Sequence, residues 1–175
     1  MIKLSNVNHP VIKKHIAKFW EHSREVAAIS YVLAKHQKHL NPDQAMLAGL
    51  VHDIGTLPLC LHAEKMFANL DDATLGLLVR KFRATFGERL LRAWEFPLEL
   101  IEVIIEHEDF QRESDNPHAS YSDIVTVANM LNRETVKITK WENIASVKRL
   151  WLSPEFCQQF FDQFDLELRA AREML

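Results

Sequence analysis

The stretch Gln44-Ala45-Met46-Leu47-Ala48-Gly49-Leu50-Val51-His52-Asp53-Ile54-Gly55 carries almost no polar side chain until it ends in an adjacent imidazole and carboxylate. Leu47, Leu50, Val51 and Ile54 recur at i, i+3, i+4 and i+7, which predicts a helix with one apolar face. Ala45, Ala48 and Gly49 leave the opposite side smooth enough for a second helix to approach closely, and His52 falls on that side. A helix that is apolar or small all round is a buried central helix, and this one delivers His52 and Asp53 into the interior. A buried carboxylate is costly unless it meets a hydrogen bond, an opposite charge or a metal ion. The partner of Asp53 is therefore the question on which function turns.

The remaining chain predicts helices throughout. Glycine is scarce, with four residues in 175, alternating β-branched runs are nearly absent, and helix punctuation is frequent. Pro10 opens a helix expected to run through Leu40, with Phe19, His22, Val26, Ile29 and Leu33 on one stripe. His22 is the polar intruder on that face. Asn41 is an N-cap, Pro42 the first helical residue and Gln44 the capping-box residue, while Gly55 is expected to stop the helix in a left-handed conformation. Further helices are expected from about Leu61 to Ala68, from a cap at Asp71 or Asp72 through Phe82, from Ala84 to Trp94, and from Pro97 to about Glu108. The last of these carries Leu100, Val103, Ile104 and His107 on one side. After an exposed loop at 111–117 come a helix from Tyr121 to Asn132 with Asn129 beside its core stripe, a short helix at 143–152, and one from Ser153-Pro154 with a heavy aromatic face of Phe156, Phe160, Phe161 and Phe164. The fold class expected is all-α, a bundle of about seven to nine helices in one domain spanning 1–175.

Several classes of function are disfavoured. A net charge of -3 argues against a nucleic-acid binder that works through bulk electrostatics. No apolar run approaches the ~20 residues of a membrane span, and the first residues lack a secretory signal, so a cytoplasmic protein is expected. Cys60 and Cys157 have no paired spacing and read as reduced, buried residues. Residues 1–40 hold seven Lys and Arg against Glu21 and Glu25, together with five of the nine histidines. That bias reads as the solvated face of a long helix, or as a surface for an acidic partner.

His22, the His52-Asp53 pair and Asn129 lie on three expected buried helix faces. Neutral imidazoles and carboxylates in such an order can hold a hard or borderline divalent cation, which generates a hydroxide nucleophile and clamps phosphate oxygens. The order resembles that of the HD superfamily of metal-dependent phosphohydrolases. The longer match is to the HDOD family, carried by Phe19-Trp20-Glu21-His22-Ser23, Val26-Ala27, Ala48 through Gly55, Gly87 through Leu90-Leu91-Arg92-Ala93-Trp94-Glu95-Phe96-Pro97, Ile104-Ile105-Glu106-His107 and Val127-Ala128-Asn129. It covers about 11–135, leaving 136–175 as further helices without a motif. Membership implies an all-helical bundle in bacterial signalling proteins, acting as an output or protein-interaction domain with a protein partner or a second copy of itself. HDOD regions usually contain a further helical portion before this part, so the chain reads as a C-terminal fragment or a shortened member.

The chain departs from its metal-binding relatives in four places. Asn129 stands where the superfamily ends its ligand set with aspartate, and Thr56 replaces the lysine that follows His-Asp-Ile-Gly in the phosphodiesterases. Arg83 stands where a histidine is expected four residues before Gly87, and His107-Glu108 replaces a histidine pair. The candidate metal ligands are thus His22, His52, Asp53 and Asn129, with His107 as a further candidate and no catalytic residue assigned. The first reading is a hydrogen-bonded structural cluster in which Asp53 pairs with an imidazole, inside a non-catalytic signalling domain. The alternative is a metal-dependent phosphohydrolase or phosphodiesterase acting on a phosphorylated small molecule.

Overall fold

A computed structural model describes residues 7–67, 69–114, 116–132 and 141–175. Among these are nine α-helices, one 3-10 turn and no strand. Helix α1 spans Pro10–Lys35 and buries Phe19, Val26, Ile29 and Leu33 as its spacing requires. It stops before the expected Leu40. The side chains of Gln37 and His39 reach the carbonyls of Leu150 and Ala119 instead, so tertiary hydrogen bonds win over a further helical turn.

Helix α2 spans Pro42–Val51, and the Asn41 side chain caps it by accepting from the Asp43 and Gln44 N–H groups. Gln44 does not complete a capping box. The Tyr121 hydroxyl donates to Gln44 Oε1 and accepts from the Asn41 N–H, bridging the two. The small side of α2, Ala45, Ala48 and Gly49, is buried together with Met46 and Val51, whereas Leu47 of the expected apolar stripe is exposed. A Cβ on Gly49 would lie 2.8 Å from Ala27 Cα of α1, so the two helices cross nearly backbone to backbone.

Gly55 is not a left-handed helix stop. Its φ is -61°, and no described glycine has positive φ. Left-handed residues follow α4 at Glu95 and α7 at Trp151 instead. Helix α3 (Thr56–Met66) begins earlier than expected, with Pro58 in the first turn, where its missing N–H has no helical partner to lose. Helix α4 (Asp72–Ala93) is continuous where two segments were expected, and Asp71 caps it by accepting from Thr74 N–H at 2.7 Å. Helix α5 covers Leu98–Glu106.

Helix α6 matches the expected Tyr121–Asn132, yet it is more deeply placed than its polar residues suggested. Every residue from Tyr121 to Leu131 is buried, Ser122, Asp123, Thr126 and Asn129 included. Helix α6, and not α2, is the one surrounded on all sides. A 3-10 turn (Trp141–Asn143) and α7 (Ala145–Arg149) replace the single short helix expected at 143–152. The final helix is two, α8 (Pro154–Gln163) and α9 (Asp165–Glu173), broken at Phe164. Its aromatic face belongs mostly to the core: Phe160 and Phe164 are buried and pack with Phe156, leaving Phe161 as the exposed member.

The largest core cluster joins α1, α2, α5, α6 and the C-terminal helices. A second gathers the start of α1 with α3 and the start of α4. A third, Phe19, Val51, Ile54, Leu91, Ile101 and Ile104, lies around the turn that follows α2. Both cysteines are buried and free. By length and mean hydropathy (1.3) the span Pro42–Met66 could cross a membrane, contrary to the reading from apolar runs. It is nevertheless two helices interrupted at 52–55, and 61% of its apolar window is buried inside the fold.

Candidate functional site

The turn after α2 is pinned by a close crossing. A Cβ on Gly55 would fall 1.9 Å from the Arg83 carbonyl oxygen and 2.6 Å from Gly87 N, so α4 can lie against the turn only because position 55 has no side chain. Leu75, Val79, Arg83, Gly87 and Leu91 follow at intervals of four along α4, a spacing that keeps them on one face. Arg83 is thereby carried inward among apolar neighbours and is 9% exposed.

Asp53 finds its partner there. Arg83 Nε donates to Asp53 Oδ1 at 2.6 Å, and its Nη2 pairs with Glu108. The imidazoles of His52 and His107 stand 3.6 Å from Asp53, outside hydrogen-bond reach. The expected Asp53–imidazole pair is therefore replaced by an Asp53–Arg83 ion pair. Burial works to raise the Asp53 pKa, but His52 and Arg83 outweigh it and hold the carboxyl at about 2. At pH 7, where His52 is neutral, the guanidinium is the cation that faces the carboxylate. Burial likewise opposes the Arg83 charge, and Asp53 and Glu108 outweigh it, holding its pKa above the ordinary value.

The imidazoles form a directional chain on the other side of Asp53. Asn132 Nδ2 donates to His22 Nδ1 at 2.9 Å, which leaves the His22 proton on Nε2. His22 Nε2 donates to His52 Nε2 at 3.1 Å, and His52 Nδ1 donates to the Gly49 carbonyl at 2.7 Å. His107 Nδ1 donates to the Val103 carbonyl at 2.8 Å, while its Nε2 is buried without a hydrogen-bond partner. Asn129 is 3% exposed and its Oδ1 is also unpartnered. It shares a face of α6 with Asn132, one turn away.

Of the residues singled out in the sequence, His22, His52 and Asp53 come together, with one ligand atom of each within 4.8 Å of the others. His107 lies beside Asp53, on the side of Arg83. Arg83 as a buried partner, Glu108 and Asn132 were not assigned to the site from sequence. The four-residue spacing that places Arg83 on the buried face of α4 was the signal that could have found it.

The donor set fits a metal ion on one side of Asp53 only. Around Oδ2, His52 presents a lone pair fixed by its bond to Gly49, the backbone support typical of a metal-bound histidine. His22 would have to move its proton from Nε2 to Nδ1, and the Asn132 amide would then have to rotate to accept it. Around Oδ1 the position is taken by the guanidinium.

Burial holds the His52 pKa at about 3, far below its ordinary 6.5, with His107 and His22 adding to the depression and Asp53 opposing it. The unfolded chain therefore takes up this proton first. Stability from a neutral His52 is complete above pH 6.5 and is lost as pH falls toward 3. The melting temperature is expected to fall between pH 7 and pH 4, and His52→Gln to flatten that slope. Equal slopes for both proteins would contradict the assignment.

Three solved structures share this fold. A protein of Shewanella amazonensis SB2B, provisionally named a metal-dependent phosphohydrolase, superposes with a TM-score of 0.74 at 28% identity over 94% of this chain. An HDOD domain protein of unknown function from Geobacter sulfurreducens gives 0.62 at 20% identity over 93%. A protein of Marinobacter aquaeolei VT8, provisionally named a signal transduction protein, gives 0.57 at 18% identity over 89%. The chain spans 62%, 65% and 38% of their respective lengths. Curated proteins gave no match. The family model of the HDOD domain matches residues 2–110, a span that includes His22, Asp53, Arg83 and His107 but ends before Asn129. With the match covering more than half its length, the chain belongs to the HDOD family.

Proposed function

We propose that this chain is a bacterial signal-transduction output domain that is non-catalytic and acts through a protein partner or a second copy of itself. The observation that carries this reading is the pairing of Asp53 with Arg83. The carboxylate that a metal hydrolase would use to hold its ion is neutralised by a cation of the protein itself. Thr56, buried at the start of α3, offers no charge to a substrate phosphate. Support for a docking surface comes from α5 and the end of α4, where Leu98, Ile105 and Trp94 are each more than half exposed. The aromatic C-terminal helix no longer contributes much, since Phe160 and Phe164 are core. A cytoplasmic location accompanies this reading.

The test is turnover of p-nitrophenyl phosphate and bis(p-nitrophenyl) phosphate after supplementation with Mn2+, Mg2+ or Zn2+. The expected rate is no higher than that of His52→Ala. A rate above it, abolished in His52→Ala, would instead establish a phosphohydrolase.

That second reading is favoured by one observation, the convergence of His22, His52 and Asp53 ligand atoms within 4.8 Å. There His22, His52, Asp53 Oδ2 and Asn129 would hold a single divalent ion, and the ion would supply an activated water and a clamp for phosphate oxygens. Asn129 is a neutral donor, and Arg83 draws on the same carboxylate, so both weaken the hold on a cation.

A further inference from the structure

Helices α4 and α5 form a hairpin. A Cβ on Gly87 would lie 3.2 Å from Ile104 Cγ2, and Leu91 packs with Ile101 and Ile104, so the inward sides of the two helices face each other. Their outward sides carry opposite charge. From residue 80 to residue 92, α4 exposes Arg80, Lys81, Arg89 and Arg92, with Glu88 as its one carboxylate. Helix α5 has no cation: Leu98, Glu102 and Ile105 stand at i, i+4 and i+7 on its exposed side, and Glu99 is exposed beside them. Trp94 and Leu98, at the bend between the two arms, are 56% and 58% exposed. Glu95, Glu99 and Glu102 form no ion pair among the described residues. Nor do Arg80 and Arg89, while Arg92 pairs with Glu88, one turn before it.

We propose that the α4–α5 hairpin is an isologous docking face whose occupant is a second copy of this chain. The proposal rests on the reading of the chain as an output domain that acts through a partner. Charge decides the occupant. An acidic partner would set its carboxylates against those of α5, and a basic partner would set its cations against those of α4. A second copy turned about a two-fold axis that runs along the hairpin, between its helices, meets neither difficulty. Its basic arm falls on the acidic arm of the first copy, and the reverse contact follows by symmetry. Trp94, Leu98 and Ile105 supply the apolar part of the contact. A stable interface takes about 800 Å² from each partner, more than three side chains supply, so both charged arms have to take part.

The full chain is followed by sedimentation velocity at low salt, from about 1 to about 200 µM. Wild type is compared with Arg89→Glu plus Arg92→Glu, and with Glu99→Arg plus Glu102→Arg. Wild type is expected to dimerise as concentration rises, and less so at high salt, as contacts between exposed charges require. Each reversed variant puts like charges into both contacts and is expected to self-associate about tenfold more weakly or worse. An equimolar mixture of the two restores opposite charge in both contacts and is expected to dimerise again. A wild type that stays monomeric throughout would overturn the proposal. So would a dimer that survives both reversals unweakened, or a mixture that associates no better than its components. Should a double variant fail to fold, Arg89→Glu and Glu102→Arg alone carry the same mixing comparison. The turnover assay separates this proposal from the reading beneath it. A monomer without turnover removes the dimer and leaves an output domain that acts on another protein, whereas metal-dependent turnover by a dimer removes that reading and leaves the dimer.

Discussion

Gly55→Ala is expected to destabilise the protein by roughly 3 kcal/mol, at the upper end of overpacking effects. Its added methyl would sit 1.9 Å from the Arg83 carbonyl oxygen and 2.6 Å from Gly87 N. Both contacts are backbone atoms of one helix, so no rotamer change relieves them, and α4 must move away from the turn. That movement takes Arg83 from Asp53. Denaturant unfolding should therefore show the stability loss, and the loss should shrink when Gly55→Ala is made in an Asp53→Asn, Arg83→Gln background, where no ion pair remains to be parted. A loss below about 1 kcal/mol in the wild-type background would mean that the crossing is looser than the structure has it.

The second large effect is expected away from the site, at Asp123. Its carboxylate is fully buried on α6 and accepts from Arg112 at 2.9 Å, Arg149 at 2.6 Å, Ser146 at 2.8 Å and the Ser120 N–H at 2.9 Å. Burial would raise its pKa, but the Arg149 and Ser120 hydrogen bonds outweigh it and hold it at about 2. Asp123→Asn keeps the shape and removes the charge, taking the carboxylate from Arg149 and leaving Arg112 with Glu106 alone, both arginines being more than four-fifths buried. The expected loss is about 3–5 kcal/mol. The stabilisation from the ionised carboxylate is complete above its ordinary pKa of 3.8 and declines as pH falls toward 2, so the variant should differ most from wild type at neutral pH. The measurement is urea unfolding at pH 7. A near-neutral substitution would show that the network merely fills space.

Local signals were legible in the sequence wherever a few neighbouring residues decide the outcome. Asn41, Asp71 and Ser153 cap helices through their own side chains, Pro10 and Pro42 start them, and α6 has the bounds its pattern gives. Longer-range outcomes were not legible. Phe160, Phe164 and Leu168 keep a spacing of four straight through the break between α8 and α9, so periodicity carries no mark of it. The burial of α6 was hidden because Ser122, Asp123 and Thr126 look like a solvent face until their partners are known. Thr126 Oγ1, for example, returns its proton to the Ser122 carbonyl within the helix.

The same division runs through the site. His22, His52 and Asp53 could be placed on inward helix faces one at a time, and they do meet. The partner of Asp53 lies 30 residues along the chain, and bringing it there requires two glycines, Gly55 and Gly87, to meet across helices. Without that crossing the sequence offers three imidazoles and no means of preferring the arginine. Asn132 was hidden in the same way: it sits one turn beyond Asn129, and only the approach of α1 to α6 decides which of the two amides reaches His22.

The central claim, that Asp53 is held by Arg83, has a direct spectroscopic test. In 15N-labelled protein the Arg83 Nε–H signal, assigned by its absence from Arg83→Lys, is expected to exchange slowly with water at pH 7, as a short charge-assisted hydrogen bond in a buried site requires. It should be unchanged by chelator and lose its protection in Asp53→Asn. An Arg83 signal that exchanges as fast as that of the exposed Arg169, or that shifts when metal is removed, would contradict it.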